Sequence, residues 1–445
     1  METFLIKAAQ LILSLSILVI LHEFGHFIFA RVFKARVEKF YLFFDPWFSL
    51  FKTRKGDTEY GIGWLPLGGY VKIAGMIDES MDKEAMKLPP QPWEFRSKPA
   101  WQRLLIMVGG VLMNFLFAFL IYIGVLYAWG EEYLPTDNVK YGIVVNETGE
   151  QIGFKTGDKI LTVDNRHIEN FMKIIPTIVL DNAKTVQVDR NGEKVDVEIT
   201  DDDLALMLKN KSVMWPRIPF RLGVDGFTDN SPAKEAGLQV GDEIKGINGI
   251  HFTYYDEWTN AAINKEGEKV ILNVGRNGEM LELPLTIAEG GMIGVKNSHF
   301  ADQYFDFKTI NYGFFESIPA GISRGVQTVK DYLKQFKLFF RPDTKAYESL
   351  GGFAAIGNIF PGTWDWFSFW NMTAFISIIL AIMNLLPIPA LDGGHVMFLF
   401  FEMVTGKKPG DKFLEYAQIA GMIILLALVI FANANDIIKI INGTF

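Results

Sequence analysis

The chain contains no cysteine among its 445 residues, which excludes disulfide frameworks, thiol nucleophiles and cysteine-ligated zinc sites. Basic residues are also in the minority, since 43 lysines and arginines face 51 aspartates and glutamates. The resulting net charge of −8 provides no basic surface for nucleic acid, so we expect no nucleic-acid partner. Any metal ion must be held by histidine and carboxylate side chains.

Hydrophobic residues, by contrast, make up 49% of the chain and include 38 phenylalanines. This composition excludes disorder and favours membrane segments. A helix needs about 20 apolar residues to cross about 30 Å of hydrocarbon. Four stretches meet this requirement, at residues 1–30, 104–130, 366–391 and 416–435. The last three contain no charged residue, whereas the first carries ionisable residues near its end.

A secretory signal peptide is the competing interpretation of the first stretch. No small-residue cleavage site follows its apolar run, and Arg31 comes next, so we expect a retained span. Lysine and arginine residues predict the orientation, because positive flanks stay in the cytoplasm. They concentrate in residues 31–103 and 405–415. We therefore expect these two segments in the cytoplasm, and both termini and the long segment between the second and third spans outside.

An internal repeat lies between the second and third spans. The sequence GFKTGDKI at 153–160 recurs as GLQVGDEI at 237–244, and RNGE at 190–193 recurs at 276–279. Asn-Gly between alternating apolar runs predicts a β-hairpin. We expect two copies of one mixed α/β fold at residues 131–208 and 209–295, with inert spacer domains as the alternative. Residues 296–365 then form an amphipathic linker that leads to the third span.

The motif His22-Glu23-Phe24-Gly25-His26 lies inside the first span. Its two imidazoles are four residues apart, so they share one helix face and can reach a single zinc ion. The glutamate between them can act as general base on a water molecule that zinc activates. Each ionisable group in a span costs about 2.5–3.5 kcal/mol, so three of them in one turn need a compensating partner. Polar residues in a water-filled crevice are the alternative.

A catalytic zinc ion needs a third protein ligand, and Asp392 at the end of the third span is the best candidate. The first and third spans run in the same direction, so Asp392 and the two histidines should lie at similar depth, toward the cytoplasmic side. An Asp-Gly turn is the alternative role of Asp392, and His395 is a weaker substitute ligand. Pro387 and Pro389 break the helix just before it, which is tolerated only beside protein or a watery cavity.

Residues 61–75 are apolar, glycine-rich and too broken for a helix, which predicts a β-hairpin that dips toward the bilayer. Unpaired strand edges are costly in lipid, and an extended substrate would pair with them. A plain cytoplasmic hairpin is the alternative. Asn114 and Asn384 are amides in apolar spans, and each could bind a substrate backbone or join two helices. The residues assigned to substrate binding are Asn384, Gly68, Gly69, Tyr70, Asn114, Pro387 and Pro389.

These motifs together resemble the site-2 protease family over essentially the whole chain. The resemblance is carried by HEFGH at 22–26, PLGGYVK at 66–72, residues 95–114, the two outer repeats and residues 384–394. It implies an intramembrane zinc metalloprotease with Glu23 as catalytic base and with His22, His26 and Asp392 as zinc ligands. It also implies that the repeats are PDZ domains, that residues 61–75 form the family's membrane-reentrant loop and that Asn384 aids substrate binding.

The expected fold is therefore a polytopic α-helical membrane protein with four transmembrane helices, a membrane-associated β-hairpin and two tandem PDZ-like mixed α/β domains. The family resemblance implies a bacterial inner membrane location, contact with lipid and single-span substrates already trimmed outside, such as anti-sigma factors or signal-peptide remnants. The PDZ pair would exclude bulky substrates, and we expect a monomer. A catalytically silent PDZ scaffold is one alternative. A membrane-anchored peptidase working in the cytoplasm is another, but the apolar run continues through residues 27–30 beyond the motif.

The chain departs from the family pattern at two places. Gly109-Gly110 stands where relatives often have Gly-Pro, and Leu350-Gly351-Gly352 stands where many have Ser-Gly-Pro. We expect neither departure to touch a metal ligand, so their effect should be confined to the local entry of a helix.

Overall fold

A computed structural model of the chain describes residues 2–66, 68–76, 89–210, 213–220, 222–296, 304–338 and 351–442. The chain divides into two compact units. The first unit combines Met1–Gly130, Asn311–Phe336 and Tyr347–Phe445, and the second combines Glu131–Ile310 with Lys337–Ala346.

The α-helices of the described residues are α1 Glu2–Val32, α2 Ala100–Trp129, α3 Glu147–Ile152, α4 Ile174–Leu180, α5 Asp201–Lys209, α6 Pro232–Glu235, α7 Tyr255–Ile263, α8 Phe314–Leu338, α9 Phe353–Asn358, α10 Trp366–Asn384, α11 Asp392–Thr405 and α12 Asp411–Ile441. The β-strands are β1 Val37–Leu42, β2 Phe44–Lys55, β3 Thr58–Leu65, β4 Tyr70–Ile73, β5 Glu131–Tyr133, β6 Ile143–Val145, β7 Lys159–Val163, β8 Thr185–Arg190, β9 Glu193–Glu198, β10 Met214–Pro216, β11 Leu222–Gly223, β12 Gly226–Phe227, β13 Glu243–Ile247, β14 Ile250–His251, β15 Lys269–Arg276, β16 Glu279–Thr286, β17 Val295–Lys296 and β18 Lys308–Ile310.

Four helices of the described chain are long and apolar enough to cross a membrane: α1, α2, α10 and α12. Each overlaps a predicted span, but the fourth is longer than the predicted 416–435, since α12 runs over Asp411–Ile441, and the third is shorter. Helix α10 ends at Asn384, short of the predicted end at 391, because Pro387 cannot donate a helical hydrogen bond and restricts the residue before it. Asp392 consequently does not end the third span. It is the first residue of the separate helix α11.

A four-stranded sheet, with strand order β2-β3-β1-β4, follows α1 in the first unit. Strand β1 pairs with β3 in parallel and with β4 antiparallel. The prediction that residues 61–75 form a β-hairpin is therefore wrong, since β1 lies between the two strands of that segment. Strand β4 is an edge strand, because β1 is its one partner among the described strands.

Aromatic and aliphatic contacts fix this sheet to the last turns of α1. The ring of Phe27 lies 5.5 Å from that of Phe40 and 6.1 Å from that of Tyr60, measured between centroids. Val37 and Ile73 are buried in one cluster with residues of α1 and α2. Strand β4 is thereby held beside the turn of α1 that carries the His-Glu-Phe-Gly-His motif.

Helix α8 confirms the amphipathic helix expected in the segment before the third span, and it packs on the membrane helices of the first unit. A Cβ added at Gly321 would lie 2.6 Å from the backbone nitrogen of Ile123 in α2, so this glycine allows close helix contact. Arg324 donates a 2.9 Å hydrogen bond to the Asn371 side chain of α10. The segment therefore packs against two spans instead of only connecting them.

The second unit contains the two repeats. The Asn-Gly pairs close the hairpins β8–β9 and β15–β16. Asn191 and Asn277 have φ angles of 55° and 52°, and the glycines that follow have φ angles of 90° and 87°. Two successive residues with positive φ are what a type I′ turn requires. The predicted hairpins are confirmed in both copies.

An ion pair joins the two halves of each repeat motif. The buried Asp158 accepts bonds of 2.8 and 2.7 Å from Arg190. The buried Asp242 accepts bonds of 2.7 and 2.6 Å from Arg276. The Arg276 guanidinium holds the pKa of the Asp242 carboxyl below its usual range. The repeated Gly-Asp and Arg-Asn-Gly-Glu sequences are thus the two sides of one structural contact.

The boundary between the repeats lies later than predicted. Strand β10 pairs with β6, so residues 214–216 belong to the first copy and not to a domain that begins at 209. Arg217 marks the junction, since its backbone N–H donates to Gly142 while its guanidinium donates to Asp256 of α7. The unit also extends beyond the predicted end at 295, because β18 pairs with β5.

Candidate active site and metal centre

Three side chains from two helices of the first unit meet at one point. His22 Nε2 lies 3.1 Å from Asp392 Oδ2, and His26 Nε2 lies 3.3 Å from the same oxygen. The two Nε2 atoms are 3.2 Å apart. Within the described ranges, no other group of three or more histidine and acidic side chains has ligand atoms close enough to hold a metal ion.

The triangle of atoms has the dimensions of one face of a zinc coordination tetrahedron. Nitrogen and oxygen ligands lie about 2.0–2.1 Å from zinc, which separates two tetrahedral ligands by about 3.3 Å. His26 Nδ1 lies 2.8 Å from the backbone oxygen of Ile106, so Nδ1 carries the hydrogen and Nε2 keeps its lone pair. Asp392 Oδ2 is buried and accepts no hydrogen bond. These residues therefore fit a zinc ion.

The loop before α11 brings Asp392 to the two histidines. A Cβ at Gly394 would lie 2.6 Å from the backbone oxygen of Ile388, and a Cβ at Gly393 would overlap the carbonyl of Leu386. The loop therefore folds back tightly on the first turn of α11, which only residues without side chains permit. The Asp-Gly-Gly sequence thus supplies the Asp392 carboxylate and, through its two glycines, the space that lets this carboxylate point toward the histidines.

Glycines also allow α1 and α2 to approach each other at the metal ligands. A Cβ at Gly25 would overlap the carbonyl of Gly109. A Cβ at Gly110 would lie 2.5 Å from His26 Nε2 and 2.8 Å from His22 Nε2. The expectation that Gly109-Gly110 lies away from the metal ligands is therefore wrong. The sequence signal was a pair of glycines inside an apolar helix, where glycine has a packing reason.

A buried ion pair, which the sequence patterns did not reveal, anchors α11 to α2. Arg103 Nη2 lies 2.5 Å from Glu402 Oε1, and the arginine side chain is 8% exposed. Arg103 Nε also donates to the backbone oxygen of Lys98, at 2.9 Å. The ion pair thus holds the C-terminal end of α11 against the start of α2. Asp392 is the first residue of the same helix, α11.

A cavity of about 800 Å³ opens beside the three side chains. Glu23 lines it together with both histidines, Asp392 and Val71 of β4. Of the residues predicted to bind substrate, the cavity is lined by Gly68, Gly69, Tyr70, Asn114 and Asn384.

Pro387 and Pro389 are not among the lining residues of this cavity. Pro389 instead contacts α12, since a Cβ at Gly421 would lie 2.7 Å from its carbonyl carbon. The two prolines end α10 and shape the loop that carries Asp392. A contact of either proline with substrate stays a prediction.

The family model described as Peptidase family M50 matches residues 10–428. The chain belongs to this family, the site-2 proteases. It is 28% identical over 467 residues to the "Regulator of sigma E protease" of Haemophilus influenzae, covering 98% of this chain and 100% of the relative. It is 28% identical over 459 residues to the "Regulator of sigma-E protease RseP" of Salmonella typhimurium, covering 98% and 99%. A Neisseria meningitidis protein named "Putative zinc metalloprotease" is 26% identical over 456 residues, with 97% and 98% covered.

Family membership makes the chain a zinc metalloprotease, and the four apolar helices make it a multi-pass membrane protein. The alternative of a catalytically silent scaffold is not favoured. The zinc ion that the family requires has a matching set of donor atoms in His22, His26 and Asp392.

Replacing Gly110 by alanine tests the packing of α2 against the histidines. The new Cβ overlaps both rings and must displace them, so we expect zinc affinity to fall by about 10- to 100-fold, with a matching loss of proteolysis. Gly124→Ala is the matched control on the same helix, because a Cβ there meets no atom within 4 Å. Zinc affinity is measured by competition with a chelator in detergent. A Gly110→Ala protein with the zinc affinity of Gly124→Ala would contradict this packing.

Proposed function

We propose that this chain is an intramembrane endopeptidase that cuts the spanning segments of single-span membrane proteins. The proposal rests mainly on the position of the site within the apolar length of α1. The motif lies near the end of α1, a helix with the length and hydropathy of a membrane span, and residues 27–30 continue the apolar run beyond it. A peptidase that worked in the cytoplasm would place its motif outside the apolar helix.

In this proposal His22, His26 and Asp392 hold the zinc ion. When bound, zinc supplies the Lewis acidity that activates water and polarises the scissile carbonyl. Glu23 takes a proton from the attacking water and delivers it to the leaving amine. Its position supports this role, since its carboxylate lines the cavity within the same helical turn as the two histidines.

The edge strand β4 is the proposed guide for the substrate. A peptide bond inside a helix is shielded by its own turn, so the scissile segment must become extended before it is attacked. Pairing with the outer edge of β4 would replace the hydrogen bonds lost in unwinding. Val71 of this strand and Glu23 line the same cavity, which would bring a paired substrate backbone to the base.

The loop before β4 is packed tightly enough to hold the proposed guide strand in place. A Cβ at Gly69 would lie 2.7 Å from Val19 Cγ1 and 2.8 Å from the backbone oxygen of Tyr41, so the loop passes between α1 and β1 without a side chain. Tyr70 is fixed by a 2.8 Å hydrogen bond from its hydroxyl to Asp45. Asn384 also lines the cavity, and we assign its amide to hydrogen bonds with the substrate backbone.

The proposed setting is the bacterial inner membrane, with both termini and the second unit outside and residues 31–103 in the cytoplasm. The basic residues flanking the spans support this orientation. We assign the two repeats as PDZ domains, divided near Arg217, that exclude substrates with bulky outer domains. Two relatives are named as regulators of sigma E, and we extend this to substrates of the anti-sigma-factor type, which we propose are trimmed on the outer side before this cut.

The substitution Glu23→Gln tests the role of Glu23 as general base independently of zinc binding. The amide cannot accept the proton from water, so we expect cleavage of a single-span substrate to fall by about 10²- to 10⁴-fold while bound zinc stays at the wild-type level. Glu2→Gln, in the exposed first turn of the same helix, is the control and should retain full activity. Cleavage by Glu23→Gln within twofold of the control would reject Glu23 as the base.

Substrate unwinding is tested by changing the substrate. Glycine weakens a helix by about 1 kcal/mol relative to a good helix former, so each glycine near the cut that is replaced by leucine should slow cleavage about fivefold. The same replacement at the far end of the substrate span is the control and should leave the rate unchanged. Equal rates for the two substrates would show that the scissile segment need not unwind.

A further inference from the structure

We propose that Asn114 of α2 is a positioning residue for His22, with its side-chain oxygen accepting the Nδ1–H of that histidine. The inference rests on the proposed set of zinc ligands. It gives Asn114 a different role from the substrate contact expected from the sequence.

The tautomer of His22 carries the argument. The Asn114 side chain is 1% exposed, and its amide nitrogen lies 3.3 Å from His22 Nδ1. An amide that donated to Nδ1 would leave the ring hydrogen on Nε2. That hydrogen would then lie between His22 Nε2 and the ligand atoms of His26 and Asp392, which are 3.2 and 3.1 Å away. Zinc ligation requires the opposite tautomer, with the lone pair on Nε2 and the hydrogen on Nδ1.

The side-chain oxygen of Asn114 supports the orientation in which the amide is rotated by a half-turn. Asn114 Oδ1 is buried and has no hydrogen-bond partner. The two ends of an amide have nearly the same shape, so a half-turn exchanges them without disturbing the packing. After this turn the oxygen accepts from His22 Nδ1–H, and the NH₂ group takes the buried place that the oxygen held before. This rotation gives the Asn114 oxygen a hydrogen-bond donor, and it fixes His22 in the tautomer that can bind zinc.

His26 shows the same arrangement with a backbone acceptor. Its Nδ1 lies 2.8 Å from the carbonyl oxygen of Ile106, which is about two turns before Asn114 on α2. Helix α2 therefore offers one acceptor to each histidine. The backbone of Asn114 is itself fixed from α10, because Ser377 donates a 2.8 Å hydrogen bond to its carbonyl oxygen. Partners of this kind orient metal-bound histidines in proteins generally.

Zinc affinity of the full chain in detergent, measured by chelator competition, tests the proposal. Asn114→Leu removes the acceptor, and we expect it to weaken zinc binding by about 10- to 100-fold. Asn114→Asp keeps an acceptor in the same place, and we expect zinc affinity close to that of the wild type. Asn384→Leu is the matched control, which should raise the KM for substrate without changing zinc affinity.

Wild-type zinc affinity in Asn114→Leu would overturn the proposal. Equal losses in the leucine and aspartate variants would also overturn it, since a purely structural asparagine is not rescued by an acceptor. Should the leucine variant not fold, Asn114→Ala provides the same comparison without adding bulk. His22→Ala separates this inference from the proposed ligand set. If His22→Ala keeps zinc, the ligand set is wrong, whereas loss of zinc there together with wild-type zinc affinity in Asn114→Leu contradicts the positioning role alone.

Discussion

The structure of the first unit depends on the convergence of two imidazole nitrogens and one carboxylate oxygen inside apolar helices. Each ionisable side chain in a span costs about 2.5–3.5 kcal/mol, and three unprotonated ligand atoms 3.1–3.3 Å apart repel one another. A divalent cation bound between these atoms offsets both the cost of placing ionisable groups in a span and the repulsion among the ligand atoms. The other features of the site follow from bringing these atoms together. Gly25 and Gly110 let α1 and α2 touch, and the ion pair of Arg103 with Glu402 holds α11 in place.

The same packing places a strand edge beside the metal ligands. Strand β4 is held against α1 by the sheet and borders the cavity that contains Glu23. An enzyme that hydrolyses a helical segment must unwind it and admit water, and a cavity that reaches Glu23 beside the edge strand β4 can serve both needs. The geometry thus connects the proposed metal ligands, the proposed base and the proposed substrate path within one unit of the chain.

Local sequence patterns predicted the parts of this structure that depend on residues close in sequence. The helical period placed His22 and His26 on one face, the apolar runs located the four long helices, and the Asn-Gly pairs predicted both hairpins. The patterns failed where distant segments meet. No local signal shows that β1 inserts between β3 and β4, or that Gly110 lies against the histidine rings. Asp392 was selected by its depth, yet it begins a helix instead of ending one, because the chain turns at the prolines before it.

Zinc quantification on the purified protein and on Asp392→Asn, paired with a cleavage assay, tests the central claim most directly. We expect about one zinc per chain in the wild type, and a large loss of both zinc and cleavage in the variant, because a neutral amide is a poor zinc ligand. An Asp392→Asn protein that retained the full zinc content and wild-type cleavage would contradict the claim that this carboxylate completes the metal site.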